Sequence, residues 1–284
     1  MKKITRMKKK NKFQAGKIAN WVQKPIPFIL QINSLILILS VLYLTSCNSK
    51  NENEVLVNSY NGGEVKIDSQ IWMNQNLNVN TFKNGDPIPH AKSNDDWEKA
   101  GKNKQPAWCY YENDPKNGAK YGKLYNWYAV NDKRGLAPAG WHVPTDAEWT
   151  IYETFLGTEA GKKFKSTSGW KDFVTDNTCS NCASWNEEYR KKVPCHECKD
   201  NRVIGSKETI SGNGTNSSGF SGLPGCCRFS GGYFGSIGYY GYWWSSTELI
   251  TSSACFRVLD HGNVKLYRNY YYKERGLSVR CLRD

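Results

Sequence analysis

The chain has 284 residues, 39% of them hydrophobic and 13% aromatic, with a formal net charge of +13. That length can bury a sizeable core, as one large domain or two small ones. The charge would suit nucleic acid, but nine Lys and Arg and no acid fall in residues 1–46, so the remainder carries +4 and the nucleic-acid reading is dropped.

The basic stretch precedes an apolar run, Leu35–Leu44. It falls short of the roughly 20 residues that span a bilayer, so residues 1–46 read as an export signal. The tetrapeptide Leu44-Thr-Ser-Cys47 resembles the lipobox of bacterial lipoproteins, which implies cleavage before Cys47 and lipid attachment to it. Residues 47–62 are polar and lack periodicity, as a tether would. Within them, Lys50 followed by Glu52 and Glu54 is similar to the surface-export signal of some Bacteroidota lipoproteins. The resulting expectation is an outer-membrane lipoprotein that faces either the periplasm or the cell exterior.

Folded sequence begins near Gly62-Gly63. Glu64–Asp68 alternates polar and apolar residues as a half-buried strand does, and Ile71–Met73 reads as a second short strand. Asn84-Gly-Asp-Pro87 is turn chemistry, and Ser93 caps a short helix that includes Trp97. Ala107–Tyr111 is a strand candidate. In Tyr121–Val130, Leu124, Trp127 and Tyr128 recur at helical spacing and predict a core-facing stripe.

The clearest local signal is Gly140-Trp-His-Val-Pro-Thr-Asp-Ala-Glu-Trp149. Pro144 keeps Val143 out of helix. Thr145 then supplies an N-cap hydroxyl, and Glu148 closes a capping box. Asp146 and Glu148 add negative charge at the positive end of a helix running to about Leu156. Trp141 and Trp149 read as core anchors.

A Cys-rich insertion occupies about residues 175–204, and the Ser/Thr/Asn/Gly-rich stretch from Ile204 to Gly219 reads as loop. Tyr239–Thr247, Ala254–Leu259, Asn263–Tyr267 and Leu277–Cys281 follow as strands, with Asp260-His261-Gly262 as a hairpin turn. Two helices early and several short strands late give an α+β domain with long loops.

Of ten cysteines, lipidation of Cys47 leaves nine, an odd number, so at least one is free, metal-bound or paired between molecules. Cys179-x2-Cys182-x12-Cys195-x2-Cys198 has the form of two thiolate knuckles, which suits a tetrahedral structural Zn site; two disulfides stapling the insertion are the alternative. No His-Glu-x-x-His, Gly-x-Ser-x-Gly or phosphate-cradling Gly loop occurs, and the four His are scattered, so no catalytic residue is assigned. Tyr239, Tyr240, Tyr242, Trp243 and Trp244 form an aromatic cluster, either core or an exposed ligand-binding patch. Hydrophobic residues on both faces of Tyr242–Trp244 cannot all point inward if that strand is half exposed.

Six motifs occur in order: Ile71-Trp-Met73 with Asn76-Leu77, Tyr121–Val130, Gly140–Trp149, Gly219-Phe-Ser-Gly-Leu-Pro-Gly225, Tyr242-Trp-Trp-Ser-Ser-Thr247 and Ser278-Val-Arg-Cys281. Together they resemble the Fibrobacter succinogenes major paralogous domain over residues 63–284, within the wider C-type-lectin-like superfamily. The resemblance implies a looping α+β domain with its ends close together, and a disulfide between Cys109 and Cys281. Cys226, Cys227 and Cys255 are particular to this chain, and one of the adjacent pair could reach Cys255. The expected function is that of a non-enzymatic, lipid-anchored envelope protein binding a glycan or protein. The alternatives are an enzyme of the same fold using reactive thiols, and a purely structural surface protein.

Overall fold

Alternation at the start of the domain yields a tight hairpin in the computed structural model, which describes residues 62–176 and 207–284. Strand β1 (Glu64–Ile67) turns through Asp68, at φ +53°, into β2 (Gln70–Met73). Strand β5 (Trp141–His142) and the C-terminal β11 (Leu282–Arg283) complete an antiparallel sheet of order β1-β2-β11-β5. The first and last strands of the domain therefore share one sheet. His142 ties this junction together, 2.8 Å from Asp284 and 3.0 Å from Glu148.

Two helices form where capping chemistry predicts them. Helix α1 (Asn94–Lys102) has Ser93 as N-cap, with Asp96 returning a bond to the Ser93 backbone. Short α2 (Pro115–Tyr121) starts on Asp114 with Pro at its first position, and α3 (Trp127–Val130) starts on Asn126. The expected continuous stripe over Tyr121–Val130 is thus divided. Gly122 ends α2 at φ +71°, where a Cβ would meet the Leu77 carbonyl oxygen at 2.7 Å. Strand β4 (Leu124–Tyr125) then pairs with β3 (Trp108–Cys109) before Asn126 caps a new turn. Leu124 and Trp127 are buried as expected, but from different elements, and Tyr128 is half-buried, donating its hydroxyl to Glu274.

Helix α4 (Asp146–Leu156) begins at the predicted capping box. Glu148 accepts from the Thr145 backbone at 2.7 Å while its own N–H donates to the Thr145 hydroxyl at 3.3 Å. Thr145→Ala is expected to cost about 1 kcal/mol, read as a lowered urea midpoint with unchanged m-value. Helix α5 (Ala160–Phe164) follows after one 3-10 turn. Among the described residues no helix is long and apolar enough to cross a membrane.

In the second half, β8 (Tyr240–Ile250), β9 (Ser253–Asp260) and β10 (Leu266–Tyr272) form a meander of order β10-β9-β8. The last of these starts later than the sequence predicts, because Asn263–Lys265 closes the turn: the Asn263 side chain accepts from the Lys265 N–H. Leu277–Cys281 is not a regular strand. It runs between sheets, pairing locally with Tyr125 and with Trp243. The stretch expected to be all loop, Ile204–Gly219, contains β7 (Lys207–Ile210), paired antiparallel with β6 (Phe173–Asp176). These two strands bracket the Cys-rich insertion. Cys179, Cys182, Cys195 and Cys198 lie outside the described residues, as do Cys47, the signal segment and most of the tether.

Two aromatic clusters fill the interior. One gathers Trp72, Trp149, Tyr152, Phe164, Phe220 and Trp243. The other gathers Tyr125, Trp127, Trp244, Phe256 and Val279. Arg280 is fully buried, donating to Asn76 Oδ1 and to the Met73 and Phe220 carbonyls. One guanidinium thus ties three of the six sequence motifs together.

Candidate functional site

The aromatic run at the start of β8 separates into two populations. Trp243 and Trp244 are core residues, 1% and 0% exposed, which corrects their assignment to a ligand-binding patch. The physical reason is that β8 is covered on both faces: Trp243 packs into the Phe220 cluster and Trp244 against Phe256. Both indole N–H groups are engaged, donating to Asn76 Oδ1 and to the Tyr125 carbonyl. Trp243→Ala is expected to cost about 3–5 kcal/mol, measured by denaturant unfolding.

Tyr239 and Tyr240 stay outside, 39% and 37% exposed, and Tyr242 is half-buried. These three rings, with Phe229, Cys226 and Cys227, line an open cavity of about 300 Å³. Tyr240 and Tyr242 lie 5.8 Å apart between centroids, and Tyr239 meets His261 edge-on at 5.0 Å. No Asp, Glu, Lys, Arg or His lines the cavity. It presents flat aromatic faces, hydroxyls and thiols.

A returning loop builds its floor. Cys226 lies beside β8, its N–H donating to the Tyr240 carbonyl at 2.9 Å, and Gly235 N–H donates to the Cys227 carbonyl. Tyr111 Oη donates to the Gly235 carbonyl at 2.7 Å. Arg228, fully buried, anchors the loop from behind. Glycine is required at 235, because a Cβ there would come within 2.5 Å of the Cys226 sulfur.

Cys226 carries φ +53°, a left-handed conformation that residues with a Cβ adopt only at a cost. The two thiols influence each other and are pulled in opposite directions. The neighbouring Cys227 lowers the Cys226 thiol against the effect of burial, while Cys226 and burial push Cys227 up. The Arg275 guanidinium, stacked over Phe229 at 4.5 Å and Tyr271 at 3.1 Å, adds positive charge that favours both thiolates. Burial pushes the Tyr242 hydroxyl well above the usual tyrosine range.

The expected Cys109–Cys281 disulfide is a second correction: both are free thiols. Cys109 lies in a small cluster with Trp97 and Leu124, whereas Cys281 lies in the separate cluster of Tyr125 and Trp127. Burial pushes Cys109 up to about 11, and an Arg228 hydrogen bond opposes that shift. Burial likewise raises Cys281. Cys255 is also free, opposite Tyr270 on β10, so neither Cys226 nor Cys227 is joined to it. Among the described residues no three His, Cys, Asp or Glu gather as a metal site.

A second cavity, about 290 Å³ and lined by Asn74, Asn76, Asn78, Lys120 and Arg280, is polar. Its central side chain is engaged in holding the fold: Asn76 bonds Tyr121, Ser278, Trp243 and Arg280. The tyrosine cavity was legible in the sequence only as an aromatic surplus. Phe229 and the Cys226-Cys227 floor were not assigned to it, because a loop fourteen residues upstream of Tyr240 brings them there.

A family model described as the Fibrobacter succinogenes major domain matches residues 65–283. No curated protein and no solved structure matches the chain.

Proposed function

We propose a binding role on one premise: the chain belongs to the Fibrobacter succinogenes major domain family. In this reading it is a non-enzymatic, C-type-lectin-like module, lipid-anchored through Cys47 to the outer membrane and exposed at the cell surface. The presence of its first and last strands in one sheet supports that superfamily assignment. The ligand is a neutral glycan held by Tyr239, Tyr240 and Tyr242. The observation that carries this reading is the open, uncharged cavity lined by these rings. Sugar faces stack on such rings, and the hydroxyls orient them. An anionic ligand would call for cationic side chains in the lining.

The test is a screen of the full-length protein against immobilised neutral oligosaccharides, repeated with Tyr239→Ala/Tyr240→Ala. Removing both exposed rings is expected to weaken binding by at least about tenfold, near 1.4 kcal/mol, without lowering the thermal midpoint. Binding that survives in the double variant would remove the cavity from the account. No binding to any glycan would favour a protein ligand or a purely structural surface role.

The Cys-rich insertion carries its own prediction. With zinc held by Cys179, Cys182, Cys195 and Cys198, metal analysis of chelator-free protein should give one zinc per chain, lost in Cys195→Ser/Cys198→Ser. Metal-free protein whose four insertion thiols resist alkylation would instead mean disulfides.

A further inference from the structure

Adjacent cysteines are sterically unusual partners, and three observations set Cys226 and Cys227 apart from the other free thiols. They adjoin each other in sequence, they border an open cavity, and Cys226 sits in left-handed backbone at φ +53°. Strain of that kind concentrates where function retains it. Cys281 shares a core cluster with this pair and Cys109 lies in a separate one, but neither has a cysteine as its chain neighbour.

We propose that Cys226 and Cys227 form a redox-active vicinal dithiol that closes to an intramolecular disulfide on the floor of the tyrosine cavity. The oxidant is a disulfide, either a low-molecular-weight one or one on a partner protein. The Cys226 thiolate attacks one sulfur of the incoming disulfide. A Cys226–sulfur bond forms, the incoming S–S bond breaks, and the first thiolate leaves and takes a proton. Cys227 then loses its proton and attacks the Cys226 sulfur, expelling the second thiolate. Two protein thiols are oxidised by two electrons, and the incoming disulfide is reduced to two thiols.

The assignment of roles follows from the surroundings. The neighbouring Cys227 and the charge of Arg275 favour the thiolate on Cys226, which makes it the attacking sulfur. Cys227, raised by its neighbour and by burial, holds its proton until it resolves the mixed disulfide. This chemistry needs no bound glycan, so it stands or fails apart from the binding role.

The test equilibrates full-length protein across glutathione buffers from fully reduced to fully oxidised, alkylates remaining thiols, and maps the peptides by mass. The expected result is loss of two hydrogens from the peptide carrying Cys226 and Cys227, with both sulfurs protected from alkylation. Cys227→Ser should arrest the reaction as a glutathione adduct on Cys226. Cys226→Ser should react more than about tenfold more slowly. A pair that stays reduced in oxidised glutathione would overturn the proposal, as would either cysteine linked instead to Cys255 or to a second chain. The wild-type measurement decides this even if a variant fails to fold.

Discussion

Arg228→Met is expected to destabilise the domain by about 4 kcal/mol or more. Its guanidinium is fully buried, and its carbonyl partners come from two segments, its own loop and the stretch leading into α1. Nε donates to the Gly232 carbonyl at 2.9 Å, Nη1 to the Ala91 carbonyl at 3.0 Å, and Nη2 to the Ser93 carbonyl at 2.7 Å. The faces of the cation are covered by Trp97 and Phe234, at 4.9 and 4.8 Å. Methionine fills much of the volume but leaves those carbonyls buried without donors, at about 1–3 kcal/mol for each group not rescued by water. Arg228→Lys should recover only part of the loss, because an ammonium cannot reproduce the planar fork. The check is the urea midpoint together with hydrogen exchange in residues 226–235. A change under about 1 kcal/mol would mean that the loop does not depend on this side chain. Because the same loop carries Cys226, Cys227 and Phe229, the variant should also loosen the cavity floor.

Asp146→Asn is expected to cost about 3 kcal/mol at neutral pH. Asp146 Oδ1 accepts from Arg257 at 2.6 Å and Oδ2 from Arg268 at 2.7 Å, while its backbone N–H donates to Thr247. Arg257 is fully buried, so a neutral amide in place of the carboxylate leaves its charge largely uncompensated, with Glu153 at 3.4 Å as the remaining acid. Burial by itself would push the Asp146 carboxyl up, but hydrogen bonds from Arg257 and Arg268 and their charges outweigh it and hold it below the usual carboxylate range. The sign follows from that direction. The stabilisation is fully present above the unfolded carboxyl value of about 4 and is lost as pH falls through the lower folded value. The wild-type advantage over Asp146→Asn should therefore shrink as the solution is acidified below about pH 4. A difference that stays constant down to acid pH would mean the ion pair contributes nothing.

These two residues show what local sequence could and could not announce. The capping box at Thr145 and Glu148 was legible because its donors and acceptors lie three residues apart. The role of Asp146 beyond helix polarity was not, since Arg257 and Thr247 lie more than a hundred positions away. Arg228 carried no sequence signal, and Arg280 none beyond its place in the last motif, because each donates to carbonyls of distant segments, Ala91 and Ser93 for the first, Met73 and Phe220 for the second. The ordered motifs were readable one by one. That they interlock became visible only in the fold: Trp127 Nε1 donates to the Ser245 carbonyl, and the Ser246 N–H donates to the Pro144 carbonyl. The same limit explains the tryptophans. Alternation along Tyr242–Trp244 predicts one outward face only if that face meets solvent, and other segments of the domain cover both sides there.

In the proposed binding role the exposed rings at the start of β8, not those on β10, meet the ligand. Fluorine NMR of fluorotyrosine-labelled full-length protein, titrated with the neutral oligosaccharides that bind in the screen, tests it most directly. Assignment by single Tyr→Phe variants makes each resonance specific. The account predicts saturable shifts at Tyr239, Tyr240 and Tyr242, with Tyr270 and Tyr272, 57% and 58% exposed, unmoved. Shifts confined to Tyr267, Tyr270 and Tyr272 would place the ligand on the β10 edge and contradict it.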